Sequence, residues 1–109
     1  MSQLASIEKT EALDAFLQTE VAVLEFGAVD RCPPCRVLQP ILEELAGEYA
    51  GSVGFGQVDA DEFPELASRY QVMGLPTVIV FKNGVPEDKL IGLRSKEAYR
   101  TVIDRSKGH

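Results

Sequence analysis

The 109-residue sequence contains no tryptophan, one histidine, two cysteines and no long uncharged apolar run. Residues 1–20 lack the apolar run of about 7 to 15 residues that follows a basic start in secretory signals. No other segment approaches the roughly 20 apolar residues of a membrane-spanning helix. We therefore expect a cytoplasmic protein with no membrane segment.

Positive charge is also sparse, with eleven Lys and Arg against seventeen Asp and Glu and a formal net charge of −6. The basic residues are scattered, so the chain offers no electrostatic surface for nucleic acid. A glycine-rich nucleotide motif is absent, so no nucleotide cofactor is expected. Hydrophobic residues make up 45% and charged residues 26%, a composition typical of globular proteins. We predict one domain spanning residues 1–109 and a monomer.

Both cysteines lie in the stretch Cys32-Pro-Pro-Cys35. Structural zinc requires four nitrogen or sulfur ligands, and the chain adds only His109 to these two sulfurs. A static disulfide across so short a loop would remove little chain entropy, and cytoplasmic thiols are kept reduced. A zinc site and a static clip remain open as less favoured alternatives to a reversible redox pair.

The surroundings of the cysteines favour redox chemistry. Residues 21–28 form a nearly continuous apolar run, typical of a strand buried on both faces. Apolar residues at helical spacing follow the pair, so a helix is predicted to begin at the cysteines. Its first N–H groups and dipole would stabilise a thiolate at Cys32, the reactive form of the sulfur. Pro33 and Pro34 suit a first helical turn because those N–H groups have no intrahelical partner.

The remaining chain alternates strand-like and helix-like segments. The Asn83-Gly84 pair predicts a tight hairpin turn, because this pair readily adopts positive φ angles. The order of segments predicts an α/β fold with a mixed sheet, parallel first and antiparallel at the end. The predicted elements besides those at the cysteines are a helix capped by Thr10, strands at 53–61, 77–82 and near 89–93, a helix from Pro64, and a last helix capped by Ser95.

Several short motifs accompany the cysteine pair in a fixed order: Leu-Glu-Phe-Gly-Ala, Val-Asp-Ala-Asp, Gly-Leu-Pro-Thr, Phe-Lys-Asn-Gly and then Gly92. In order and spacing they resemble the thioredoxin family over nearly the whole chain. The resemblance implies a central mixed five-stranded sheet, with a parallel first part and an antiparallel C-terminal hairpin, flanked by four helices. It also implies a thiol-disulfide oxidoreductase that reduces protein disulfides through a reversible Cys32–Cys35 dithiol/disulfide.

The resemblance assigns catalytic roles to three residues. Cys32 would be the exposed attacking sulfur and Cys35 the buried resolving sulfur. Glu25 matches the buried acid of thioredoxins, usually Asp, and would accept the Cys35 proton. An ionised acid inside a strand buried on both faces is costly unless it has a task or a partner. The alternative is that Glu25 points outward at a strand edge.

Four residues are predicted to bind the client. Pro76 would be a cis-proline facing the cysteines, and Leu75 would offer its backbone to an extended client peptide. Gly92 is interpreted either as a bulge glycine or as a residue that keeps the groove wall low. Arg31 stands where thioredoxins carry a tryptophan before the first cysteine, and we assign it to the same client surface.

The sequence departs from the family pattern close to the cysteines. Gly27 occupies the place of another frequent tryptophan, and residues 28–31 are one residue longer than expected. Pro33 replaces a typical glycine, and Gln57 replaces a lysine that pairs with the buried acid. We predict that Pro33, Pro34 and Gln57 tune the redox couple.

The expected partners are disulfide-containing client proteins and an external thioredoxin-reductase-like enzyme. No cofactor is expected beyond the redox-active disulfide itself. One alternative is a glutaredoxin-like deglutathionylating enzyme, disfavoured by the chain length, Pro34 and the hairpin. Another is a non-catalytic thioredoxin-fold binding module, disfavoured by the retention of both cysteines, Glu25 and Pro76.

Overall fold

The computed structural model describes residues 3–108, which form a central sheet with helices on both faces. The elements are β1 (Leu4–Ser6), α1 (Thr10–Phe16), β2 (Val21–Gly27), α2 (Pro33–Glu48), β3 (Gly54–Asp59), α3 (Pro64–Arg69), β4 (Thr77–Lys82), β5 (Val85–Ile91) and α4 (Lys96–Ser106). The sheet order is β1-β3-β2-β4-β5; β1, β3 and β2 run parallel, β4 is antiparallel to β2, and β5 is antiparallel to β4. The predicted mixed five-stranded sheet with four flanking helices is confirmed.

Strand β2 lies at the centre of the sheet, and every one of its residues is buried. Val21 and Val23 pack in the core that contains the apolar faces of α2 and α4. Leu24 and Phe26 pack in the opposite core, which contains residues of α1 and α3. Successive side chains of a strand point to opposite faces of the sheet. Because helices cover both faces here, almost every residue of β2 is apolar, which explains the apolar run in the sequence. None of the helices in residues 3–108 is long and apolar enough to cross a membrane.

The β4–β5 hairpin confirms the predicted turn but corrects the start of its second strand. Asn83 and Gly84 have φ angles of 52° and 81°, the positive values that the turn requires. The predicted return strand is present, but β5 runs from Val85 to Ile91 and so begins earlier than the predicted residues 89–93. The first part of β5 lies at an exposed sheet edge and includes Pro86. It therefore lacks the apolar pattern from which a strand could be predicted.

Two further features at the N-terminus differ from the sequence analysis. Strand β1 is three residues long and buries only Leu4, and no sequence pattern located it. The predicted cap at Thr10 was wrong, because Thr10 is already the first residue of α1. Lys9 is the N-cap, and it makes no side-chain cap hydrogen bond. The cap of α4 is confirmed, since Ser95 Oγ accepts a hydrogen bond from the Ala98 N–H at 3.2 Å.

These two helix starts allow a matched stability test. Ser95→Ala removes a cap hydrogen bond and should lower the free energy of unfolding by about 1 kcal/mol. Thr10→Ala removes no cap hydrogen bond and should change it by less than about 0.5 kcal/mol. Urea unfolding of the oxidised protein measures both values. Equal losses in the two variants would contradict the assignment of Lys9 as the cap.

Candidate active site

The two cysteines lie at the junction of the loop after β2 and the start of α2. Cys32 is the N-cap of α2, and Pro33 is the first helical residue. A disulfide joins Cys32 to Cys35, whose Cα atoms lie 5.2 Å apart. The Cys32 Sγ accepts a hydrogen bond from the Cys35 N–H at 3.2 Å. The helix start therefore directs a backbone donor at this sulfur, as the sequence analysis predicted.

Both cysteine residues are buried in the disulfide form, so the prediction that Cys32 is exposed does not hold in this state. Cys32 is 7% exposed and Cys35 is 1% exposed, so both are largely covered in the disulfide form. Pro33 and Pro34 are exposed and have no N–H group to direct at Cys32. His109, considered above as a zinc ligand, lies outside the described residues.

The segment before β4 packs against the cysteine pair. The Leu75–Pro76 peptide bond is cis, and Leu75 contacts the small buried cluster formed by Ala28 and the two cysteines. The Pro76 carbonyl accepts a hydrogen bond from the Gly92 N–H at 2.8 Å. The predicted cis-proline is thus present, on the segment that packs beside the disulfide.

Gly92 has a φ angle of +86°, a left-handed conformation that favours glycine. Its interpretation as a bulge glycine was wrong, since the register irregularity between β4 and β5 lies between Val80 and Phe81. A β-carbon at Gly92 would meet nothing within 4 Å. Neighbouring atoms therefore leave room for a side chain at this position, and the backbone conformation is what favours glycine.

Arg31 forms a two-pronged ion pair that the sequence did not reveal. Its Nε and Nη2 donate to the two carboxylate oxygens of Asp61 at 2.6 and 2.9 Å. Both side chains are more than half exposed, so the pair orients the loop more than it stabilises the fold. They border a groove of about 310 Å³ that extends to Leu75; its other lining residues are Ala60, Pro64, Ala67, Ser68, Val72, Met73 and Gly74.

The carboxyl group of Glu25 lies next to the buried sulfur. Glu25 is 4% exposed and lies on the face of β2 that α2 covers, so its interpretation as an outward-pointing edge residue was wrong. A β-carbon at Gly27 would lie 3.1 Å from Glu25 Cδ and 3.3 Å from Cys35 Sγ, and it would collide with Glu25 Oε2. The carboxyl group and the sulfur therefore converge above Gly27, which has no side chain to separate them.

Burial is the larger cause, and the nearby negative charge of Asp59 the smaller one, of a shift that raises the pKa of Glu25 from its ordinary 4.5 to about 7. Gln57 is the register partner of Glu25 on β3. Among residues 3–108, however, no hydrogen bond from the Gln57 amide or any other donor reaches the Glu25 carboxyl group. No fully enclosed side-chain nitrogen or oxygen in these residues lacks a partner, so the Glu25 carboxyl oxygens keep some accessible surface. Nothing described there offsets the loss of water around the charged form.

Sequence reasoning missed Asp59 and Asp61, although both belong to the Val-Asp-Ala-Asp motif. Asp59 ends β3 and is the register partner of Gly27, which ends β2. The carboxyl ends of parallel neighbouring strands lie at the same edge of a sheet. This rule could have predicted from the sequence that both acids lie beside the loop that carries Cys32.

Comparison with known proteins gives a consistent result. The thioredoxin family model matches residues 4–105. Thioredoxins of Staphylococcus epidermidis and Staphylococcus aureus are each 40% identical over 103 residues, which cover 94% of this chain and 98% of the relative. A solved mutant thioredoxin from Halobacterium salinarum has a TM-score of 0.89 and 29% identity, covering 97% of this chain and 92% of that chain. With its cysteine pair at the start of α2, this chain belongs to the thioredoxin family, whose kind of activity is thiol-disulfide oxidoreduction.

Proposed function

We propose that the chain reduces disulfide bonds of client proteins through the Cys32–Cys35 pair. The observation that supports this best is the arrangement of three groups. One sulfur is the N-cap of a helix, the second lies one turn inside, and a buried carboxyl group adjoins the second. The helix start favours the thiolate of the first sulfur, and the carboxyl group is a proton acceptor for the second.

The proposed reaction begins with the reduced pair. The Cys32 thiolate attacks a client disulfide, forms a mixed disulfide and displaces one client thiolate, which takes a proton from water. Cys35 then loses its proton to Glu25 and attacks the Cys32 sulfur. The second client thiolate leaves and is protonated, so two electrons have passed to the client and Cys32–Cys35 is oxidised. An external reductase returns two electrons to the pair.

The groove beside Leu75 is the proposed client site. An extended client segment would lie along the backbone of Leu75, before the cis-proline Pro76, in the manner of an added strand. Gly92, whose N–H is hydrogen-bonded to the Pro76 carbonyl, has no atom within 4 Å of where a β-carbon would stand. Arg31 lines the groove, and its charge is already paired with that of Asp61.

Glu25 has the acid strength that its proposed role requires. A general base works best when its pKa lies near the operating pH, and that of Glu25 is about 7. An ordinary exposed glutamate holds a proton too weakly to receive one from a thiol near neutral pH. We further propose that the protein acts in the cytoplasm as a monomer, needs no cofactor, and is reset by a thioredoxin-reductase-like enzyme.

The reduction of insulin by dithiothreitol tests the proposed activity. The wild-type chain should accelerate insulin reduction, and Cys32→Ser and Cys35→Ser should both fall to the background rate. Cys35→Ser should also accumulate mixed disulfides with extract proteins, because it attacks but cannot resolve. Cys32→Ser should trap none. Equal trapping by the two variants would overturn the assigned roles, and faster turnover with glutathione and glutathione reductase would favour the glutaredoxin-like alternative.

A second prediction concerns the two prolines in the first turn of α2. Pro33→Gly restores an N–H group close to the Cys32 sulfur, which should stabilise the thiolate and so the reduced form. The midpoint potential should move in the positive direction by up to roughly 60 mV, the equivalent of one charge-assisted hydrogen bond of about 3 kcal/mol. Equilibration with glutathione buffers measures it. Pro86→Gly, on the exposed edge of β5, is the control and should leave the potential unchanged; a negative shift in Pro33→Gly would contradict the argument.

A third prediction concerns Glu25 and pH. The folded chain holds the Glu25 proton more tightly than the unfolded chain, so this group adds stability below its ordinary pKa of 4.5. That stability is lost as the pH rises through about 7. Glu25→Gln should therefore raise the free energy of unfolding at pH 8 by up to about 3 kcal/mol, and the difference from wild type should nearly vanish at pH 4.

Urea unfolding of the oxidised protein at both pH values measures this effect. Glu65→Gln, which removes an exposed carboxyl group from α3, is the matched control and should have little effect at either pH. A Glu25→Gln variant that is less stable than wild type at pH 8 would show that the ionised carboxyl group has a stabilising partner.

A further inference from the structure

A second cavity, of about 250 Å³, borders Glu25 and shares no lining residue with the groove beside Leu75. Three of its lining residues form one row across neighbouring strands. Gln57 of β3 stands in this row, with Ser6 of β1 on one side and Glu25 of β2 on the other. Gln39 of α2 contributes to its lining. Small or polar residues thus occupy this part of the sheet, whereas large apolar residues fill the neighbouring core. The cavity is the space that these smaller side chains leave unfilled.

The charge around this cavity is unbalanced. Four of its lining residues are acidic, Glu8, Glu25, Asp59 and Glu62, and no lysine, arginine or histidine is among the described residues that line it. The Asp59 Oδ1 accepts hydrogen bonds from the backbone N–H groups of Asp61 and Glu62 at 2.9 and 3.1 Å. These two bonds orient the Asp59 carboxylate at the cavity wall.

The burial of Glu25 distinguishes this cavity from a cluster of exposed acidic side chains. It is 4% exposed and lines the cavity, and among residues 3–108 no protein donor reaches its carboxyl group. The carboxyl oxygens are not fully enclosed, so a molecule in the cavity can reach them. A buried carboxylate without a partner is costly, and a cation that donates hydrogen bonds removes that cost. The cavity is also several times larger than the roughly 30 Å³ that one water occupies.

We propose that this cavity binds a small organic cation, a primary alkylammonium or a guanidinium, with Glu25 and Asp59 as its counter-ions. The side-chain oxygens of Gln39 and Gln57 are further acceptors for its N–H groups, and Phe63 supplies apolar surface for an alkyl group. No three His, Cys, Asp or Glu side chains in the described part of the chain are arranged to hold a metal ion. An organic cation does not need that close ligand geometry.

Binding would also affect the disulfide chemistry, a consequence that rests on the proposed function. The Glu25 carboxyl group borders the cavity and also adjoins Cys35 Sγ across Gly27. A cation paired with this carboxylate makes it a weaker proton acceptor. Resolution of the mixed disulfide by Cys35 should therefore slow when the cavity is occupied.

The test is an NMR titration of the oxidised protein at pH 8 with ethylammonium chloride and, separately, guanidinium chloride. Sodium chloride at equal ionic strength controls for screening, and tetramethylammonium chloride controls for charge without N–H donors. We expect saturable shifts confined to the cavity lining and to the Glu25 carboxyl carbon, with the N–H-bearing cations alone. Non-saturating shifts, or the same shifts with sodium chloride, would overturn the proposal and leave water as the occupant.

Variants locate the site. Glu25→Gln should weaken binding by about tenfold or more, the loss expected for one charge-assisted hydrogen bond. Asp59→Asn, which leaves Glu25 in place, should weaken it by a smaller factor. Glu65→Gln removes an equal charge outside the cavity and should bind like wild type. Unchanged affinity in Glu25→Gln would refute the assignment of the counter-ion.

The kinetic arm separates this proposal from the proposed function. The NMR titration uses the oxidised chain and requires no turnover. It therefore measures cation binding even if the chain does not reduce insulin. In an active protein, ethylammonium should slow the resolution step in wild type but not in Glu25→Gln. Binding without slowing would keep the cation site and remove its link to the Glu25 proton.

Discussion

The burial of β2 on both faces is the constraint on which the rest of the structure depends. Two helices cover each face, so every side chain of this strand is removed from water. Apolar residues gain from that position, whereas a carboxyl group loses the water that stabilises its charge. Glu25 therefore holds its proton near neutral pH because of the architecture around it, with no special hydrogen bond required.

The same face of the sheet joins the redox pair to the acidic cavity. Parallel pairing places the ends of β2 and β3 side by side, so Asp59 faces the end of the strand that carries Glu25. α2 brings Cys35 down onto this face, while the loop after β3 carries Asp61 to the side of Arg31. The Glu25 carboxyl group thus lies between the Cys35 sulfur and the polar cavity. A change of charge on this group would be felt at both places.

Much of this arrangement could be predicted from the sequence, because strong local patterns specify it. The apolar run of β2, the amphipathic spacing of α2 and the Asn83-Gly84 turn each reflect one local rule. β1 and the start of β5 could not be located, because short or exposed edge strands bury too little to leave a pattern. The Arg31–Asp61 pair also escaped, since a contact across thirty positions depends on tertiary packing.

The close approach of Glu25 to Gly27 restricts the order in which these positions can change during evolution. Any side chain at Gly27 would enter the space of the Glu25 carboxyl group, so the two positions are coupled by volume. A substitution at Gly27 made while Glu25 is present would overpack this site and displace the carboxyl group. Shortening the acid first would remove that collision, so the same two changes cost more in one order than in the other.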